Sequence, residues 1–104
     1  MITKKTLSAK KAIRKITGPI SFGEMINSFR LAKEYSQVEM ANILGISKQE
    51  LCNIEKGRKI ISVERAKFFA ITLKMPPKVF AKYALQDQLT KANIVGIVEI
   101  MDAA

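Results

Sequence analysis

The segment at residues 36–57 reads S-Q-V-E-M-A-N-I-L-G-I-S-K-Q-E-L-C-N-I-E-K-G and contains the side chains whose types and spacing could do chemistry. After Ser47, helical spacing turns Leu51 and Ile54 inward and leaves an ammonium and two amides, Lys48, Gln49 and Asn53, on the opposite side. A lysine can donate to guanine O6 and N7, and glutamine or asparagine can form paired bonds with adenine N6 and N7. Bond-making chemistry is poorly served. The chain has no histidine and a single cysteine, Cys52. A histidine general base, the common zinc sites and an intrachain disulfide are therefore excluded. There is no phosphate-cradling glycine loop and no convincing carboxylate pair. The expectation is a protein with no enzymatic activity, no cofactor and no metal.

Two helices must position these groups. Ser36 starts one over 37–44, Gly45 breaks it, and Ser47 caps a second that runs to about Lys56 before Gly57. Glu50, three residues after Ser47, has capping-box spacing. A helix, a Gly-Ile-Ser turn and a second helix meet at a steep angle, which frees the second to enter a major groove. Ala41 is small enough for close approach, and Ile46, Leu51 and Ile54 anchor the second helix on the core.

Around this pair the pattern predicts further helices. One spans 21–34, with Ser21 as cap and Glu24 completing a capping box, and with Phe22, Met25, Ile26 and Phe29 on its buried side. Another follows Ser62 to about Leu73. A last one opens at Pro76 and Pro77, where proline is tolerated in the first turn, and reaches as far as Ala92. The end, N-I-V-G-I-V-E-I-M at 93–101, is rich in β-branched residues and predicts a strand. A lone strand cannot satisfy its own backbone, so pairing with its copy in a second subunit is the simplest solution. The expected organisation is all-α with a short C-terminal β-strand: a basic N-terminal arm at 1–20, a helical domain at 21–92, and a dimerising segment at 93–104.

The formal net charge is +9. Six of the eighteen basic residues, and none of the nine acids, lie within residues 1–20. A basic arm beside a nearly balanced domain favours a polyanion, either nucleic acid or an anionic membrane surface. Within the arm, 8–17 reads as a short basic helix stopped by Gly18 and Pro19, or as a solvated tail. No long apolar run follows the start, and none approaches the roughly 18 residues of a membrane helix. A cytoplasmic protein without membrane contact is expected. The arm lacks aromatic anchors, so reaching along DNA suits it better than lying on lipid.

Residues Ser36-Gln37, Glu39-Met40-Ala41, Leu44-Gly45-Ile46-Ser47, Leu51 and Ile54-Glu55-Lys56-Gly57-Arg58-Lys59 resemble the Cro/C1-type, or XRE, helix-turn-helix family. The resemblance runs from about Phe22 to Leu85. It implies a five-helix domain that docks on duplex DNA as a dimer, with helix 47–56 in the major groove. It also implies base contacts from Lys48, Gln49, Glu50 and Asn53. Glu50 departs from the Ser or Thr common at its place, and suits either acceptance from a cytosine amine or the capping box alone. Phosphate contacts are expected from Gln37, Ser47, Lys56, Arg58 and Lys59, positioning the domain while the base contacts specify sequence. Arg30 and Glu55 stand where the family often has a partly buried ion pair. Cys52 reads as a small tolerated residue rather than a redox switch.

The expected function is a sequence-specific transcriptional regulator, a repressor or autoregulator acting on an inverted-repeat operator as a homodimer. The alternative is the antitoxin of a toxin–antitoxin pair, with the arm or terminal strand holding a toxin protein. About six neutralised phosphates predict a log–log salt slope near −5.

Overall fold

The computed structural model describes residues 20–101. The basic arm and its expected helix at 8–17 lie outside the described residues. Five helices follow one another: α1 at Phe22–Ala32, α2 at Gln37–Leu44, α3 at Lys48–Glu55, α4 at Val63–Thr72 and α5 at Pro77–Lys91. All five were expected, with ends within two residues or so of those observed.

Serine starts four of the five. The hydroxyls of Ser21, Ser36, Ser47 and Ser62 each accept the backbone N–H three residues on. At α1 and α2, Glu24 and Glu39 return the bond to the cap N–H, at 2.9 and 2.7 Å, which completes two capping boxes. The box expected at Ser47 is only half made. Glu50 N–H donates to the Ser47 hydroxyl at 2.9 Å, but the Glu50 carboxylate turns to Lys59 and Arg65 instead. Charge-assisted bonds to two cations outcompete one bond to a neutral amide. Helix α5 opens on proline with no side-chain cap.

The core is assembled from one or two turns of every helix. Phe22, Phe69 and Phe80 are its largest fully buried side chains, joined by Ile26, Met40, Leu51, Ile54 and the loop residue Ile61. The Phe22 and Phe80 rings meet edge to face at 5.8 Å between centroids, a geometry favoured by the ring quadrupoles. Ala41 is buried, and Ile46 packs against the same cluster. Gly45 caps α2 in the left-handed region at φ 73°, with open space around it, so the turn needs glycine for its backbone alone.

Gly23 serves a different purpose. A Cβ there would fall on the carbonyl oxygen of Ile54 and lie 2.9 Å from that of Glu55. Helix α1 thus lies directly against the end of α3, backbone to backbone. The Asp87 carboxylate of α5 accepts the Phe22 N–H with both oxygens at 3.2 Å, tying the last helix to the start of the first. Burial pushes the Asp87 carboxyl above its ordinary value, the Phe22 bond pulls it back, and the nearby Glu24 charge adds to the rise.

The strand expected over 93–101 is not formed: among the described residues there is no strand. Asn93 ends α5 with φ 59°, and the chain then runs across the surface. The buried Gln86 amide secures it, donating to the Gly96 carbonyl and accepting from the Val98 N–H, both at 2.8 Å. One side chain supplies the two bonds that a neighbouring strand would otherwise make, so the segment keeps its place without a ladder.

Candidate nucleic-acid interface

Helix α3 is held at its last turn by an acid. Glu55, in its last turn, is nearly buried, with a side chain only 4% exposed. Arg30 of α1 grips it with two bonds, Nε to Oε2 at 2.7 Å and Nη2 to Oε1 at 3.2 Å. Asn27 of α1 and Gln37 of α2 donate to Oε1 at 3.1 and 3.0 Å. The third guanidinium nitrogen of Arg30 donates to the Tyr35 carbonyl at 3.0 Å, bracing the turn between α1 and α2. Burial pushes the Glu55 carboxyl up, but the bonds from Arg30, Gln37 and Asn27 outweigh it and hold the group below its ordinary value. Three helices therefore converge on one carboxylate, and the orientation of α3 follows from them.

The side of α3 turned away from the buried Leu51 and Ile54 faces solvent. Lys48 and Gln49 are exposed and Asn53 is half-buried. Gln49 Nε2 donates to Asn53 Oδ1 at 3.3 Å, and Arg58 Nη1 reaches the same oxygen at 3.4 Å. These exposed bonds are long and readily exchanged for a ligand's. Beyond α3 the chain turns at Gly57, with φ 77° and the Asn53 carbonyl accepting from the Arg58 N–H at 2.9 Å. The turn projects Lys56, Arg58 and Lys59, all exposed, along one edge of the helix. Ser47, at the other end, is exposed and keeps its hydroxyl proton for a further acceptor.

The polar groups are thus split between two jobs. Lys48, Gln49, Ser47, Lys56 and Arg58 lie on the open surface. The Gln37 amide nitrogen is engaged by Glu55, and its backbone N–H lies in the first turn of α2. Glu50 is half-buried and bound by Lys59 Nζ at 2.6 Å and Arg65 Nη1 at 2.8 Å, both on Oε2. These bonds, that from Lys59 first, lower its carboxyl below the ordinary value against a small cost of burial.

Arg65 was not anticipated. It sits in the first turn of α4, with its guanidinium over the Phe69 ring at 5.3 Å. The spacing Ser62-x-x-Arg65, with a cation where the other three capped helices carry glutamate, was the available signal. Asn27 was also missed, one turn before Arg30 on the same side of α1. Among the described residues no group of acids, histidines and cysteines could hold a metal ion, and no helix is long and apolar enough to cross a membrane.

Against known proteins, a family model described as helix-turn-helix matches residues 26–80, just over half of the chain. The match begins inside α1 and ends in the first turn of α5, so it takes in α2, α3 and the basic turn. No curated protein and no solved structure matches.

Proposed function

Because the chain belongs to the helix-turn-helix family of the Cro/C1 (XRE) type, a family of DNA-binding regulators, we propose that it is a sequence-specific transcriptional regulator that reads the major groove with α3. The observation that carries this reading is the exposed polar side of α3, bordered by a cationic turn, on a helix anchored at its last turn through Glu55. In the proposal Lys48, Gln49 and Asn53 meet base edges, while Ser47, the N-terminus of α2 at Gln37, Lys56, Arg58 and Lys59 meet phosphates. Repression or autoregulation follows where the operator overlaps a promoter.

The test is selection of duplex sites from a random pool, followed by binding to the selected site. The triple variant Lys48→Ala, Gln49→Ala, Asn53→Ala should weaken operator binding by about 100-fold or more, since each base-edge pair contributes about 1–3 kcal/mol of discrimination. Its affinity for random duplex should change far less. Unaltered operator preference in the folded variant defeats the assignment.

Two copies paired through 93–101 would place two α3 helices in successive major grooves, about 34 Å apart, on an inverted repeat. Support comes from the exposure of this segment: Val95 is fully exposed and Ile97 72% so. Gln86 takes the Gly96 carbonyl and the Val98 N–H, and in the proposal the partner copy bonds other backbone groups of the segment. A role as antitoxin would use the same exposed segment, and copurification with the product of a neighbouring reading frame distinguishes it.

A further inference from the structure

Glu50 lies among the residues proposed to read DNA, yet its carboxylate is occupied. Lys59 and Arg65 converge on one oxygen, at 2.6 and 2.8 Å, from the turn after α3 and from the start of α4. Arg65 is poorly placed for its own helix. It occupies the first turn of α4, where the unpaired N–H groups and the helix dipole disfavour a cation. Glu50 offsets that, and gives up the second half of its capping box to do so. The cluster carries one net positive charge where two cations alone would carry two. Lys59 belongs to the same exposed turn as Lys56 and Arg58, at the edge of the proposed DNA surface.

We propose that Glu50 is a specificity-determining residue that works by restraint: it keeps Lys59 and Arg65 from serving as general phosphate contacts. Non-specific binding to duplex DNA is almost wholly cation–phosphate attraction with counterion release. A phosphate approaching Lys59 must displace a carboxylate already in contact and then stand near its charge. On an operator, the base-edge bonds of α3 bring the backbone close enough to offset that displacement, and Lys59 transfers to phosphate. On other sequences nothing offsets it. Glu50 thereby lowers affinity for random duplex more than for operator and widens the ratio between them.

The inference rests on the reading of α3 as a DNA-reading helix, and the experiment separates the two. Random-sequence duplex and the selected operator are titrated with the full chain across a range of salt. Glu50→Gln should bind random duplex about 5–10-fold more tightly at 0.1 M salt, with a log–log slope steeper by about one, the increment of one added phosphate contact. Operator affinity should rise less, so the ratio falls. Lys59→Met should leave the wild-type random-duplex slope nearly unchanged, but should remove the added unit from the Glu50→Gln background. A Glu50→Gln chain with unchanged or weaker random-duplex binding overturns the restraint while leaving the DNA reading standing. So does a full unit lost from the slope by Lys59→Met alone, a measurement that needs no Glu50 variant to fold. A wild-type chain indifferent to duplex DNA at every salt concentration overturns both.

Discussion

Glu55 accepts four hydrogen bonds from three side chains, and two of the four come from Arg30. Removing Arg30 leaves an acid of 4% exposure without its counter-charge. Arg30→Met should therefore cost about 3–5 kcal/mol, the usual consequence of stranding one partner of a buried pair. Lys33→Met removes only an exposed ammonium 5.8 Å from the Phe29 ring and should cost under about 1 kcal/mol. Thermal unfolding of the two variants checks the contrast, and equal melting temperatures would remove the pair from any structural role. The pH dependence has a defined sign. The folded Glu55 carboxyl sits below its ordinary value, so its contribution is present above that value and fades as pH falls through the folded one. The gap between wild type and Arg30→Met should accordingly be widest near neutrality and close in acid. At this scale the sequence displayed hydrogen-bonding capacity without its allocation. Arg30, Glu55 and Gln37 could each be named, but that Gln37 spends its amide on Glu55 depends on how three helices meet. Glu50 illustrates the same limit: its spacing from Ser47 is that of a capping box, and only the fold brings Lys59 and Arg65 within reach.

The helices themselves were largely legible, because their signals are local. Serine caps, an acid three residues later, Gly45 after α2 and a proline at the head of α5 each act within one turn of where they stand. The capping box at Ser36 and Glu39 was open to the same reading and was overlooked. Close approach between helices leaves no such local trace. Gly23 looks like an ordinary, mildly unfavourable helix residue, yet a methyl group there would collide with the end of α3. Gly23→Ala should lower the melting temperature more than Gly45→Ala, although the latter forces a side chain onto a left-handed backbone. Gly45 faces open space, so its cost is backbone strain alone, about 1–2 kcal/mol. Gly23→Ala must push α1 and α3 apart along their backbones and should also weaken DNA binding by tilting α3. Calorimetry on the two variants settles the order, and a harmless Gly23→Ala would mean that α1 and α3 are not in such close contact.

For the whole chain, the surface left over after folding matters most. The segment after α5 was expected, from its β-branched composition, to be a strand paired with its copy in a second subunit; within one chain it has no strand to pair with and forms none. It lies instead on Gln86, with Ile97 and Val95 outward. If two chains join there, Ile97→Asp should convert a dimer into a monomer in sedimentation equilibrium without lowering the melting temperature, and operator affinity should fall with it. Identical masses for wild type and variant would show that the segment is not the joining surface. The grip of Gln86 has one more consequence. Apolar edges left open on both sides invite chain after chain to add, ending in fibres. Here the amide already occupies the Gly96 carbonyl and the Val98 N–H, so a newcomer would find that flank partly taken, which disfavours growth beyond a first addition. A lone glutamine would thus act as a stopper against amyloid-like polymerisation in a tail whose composition otherwise invites it.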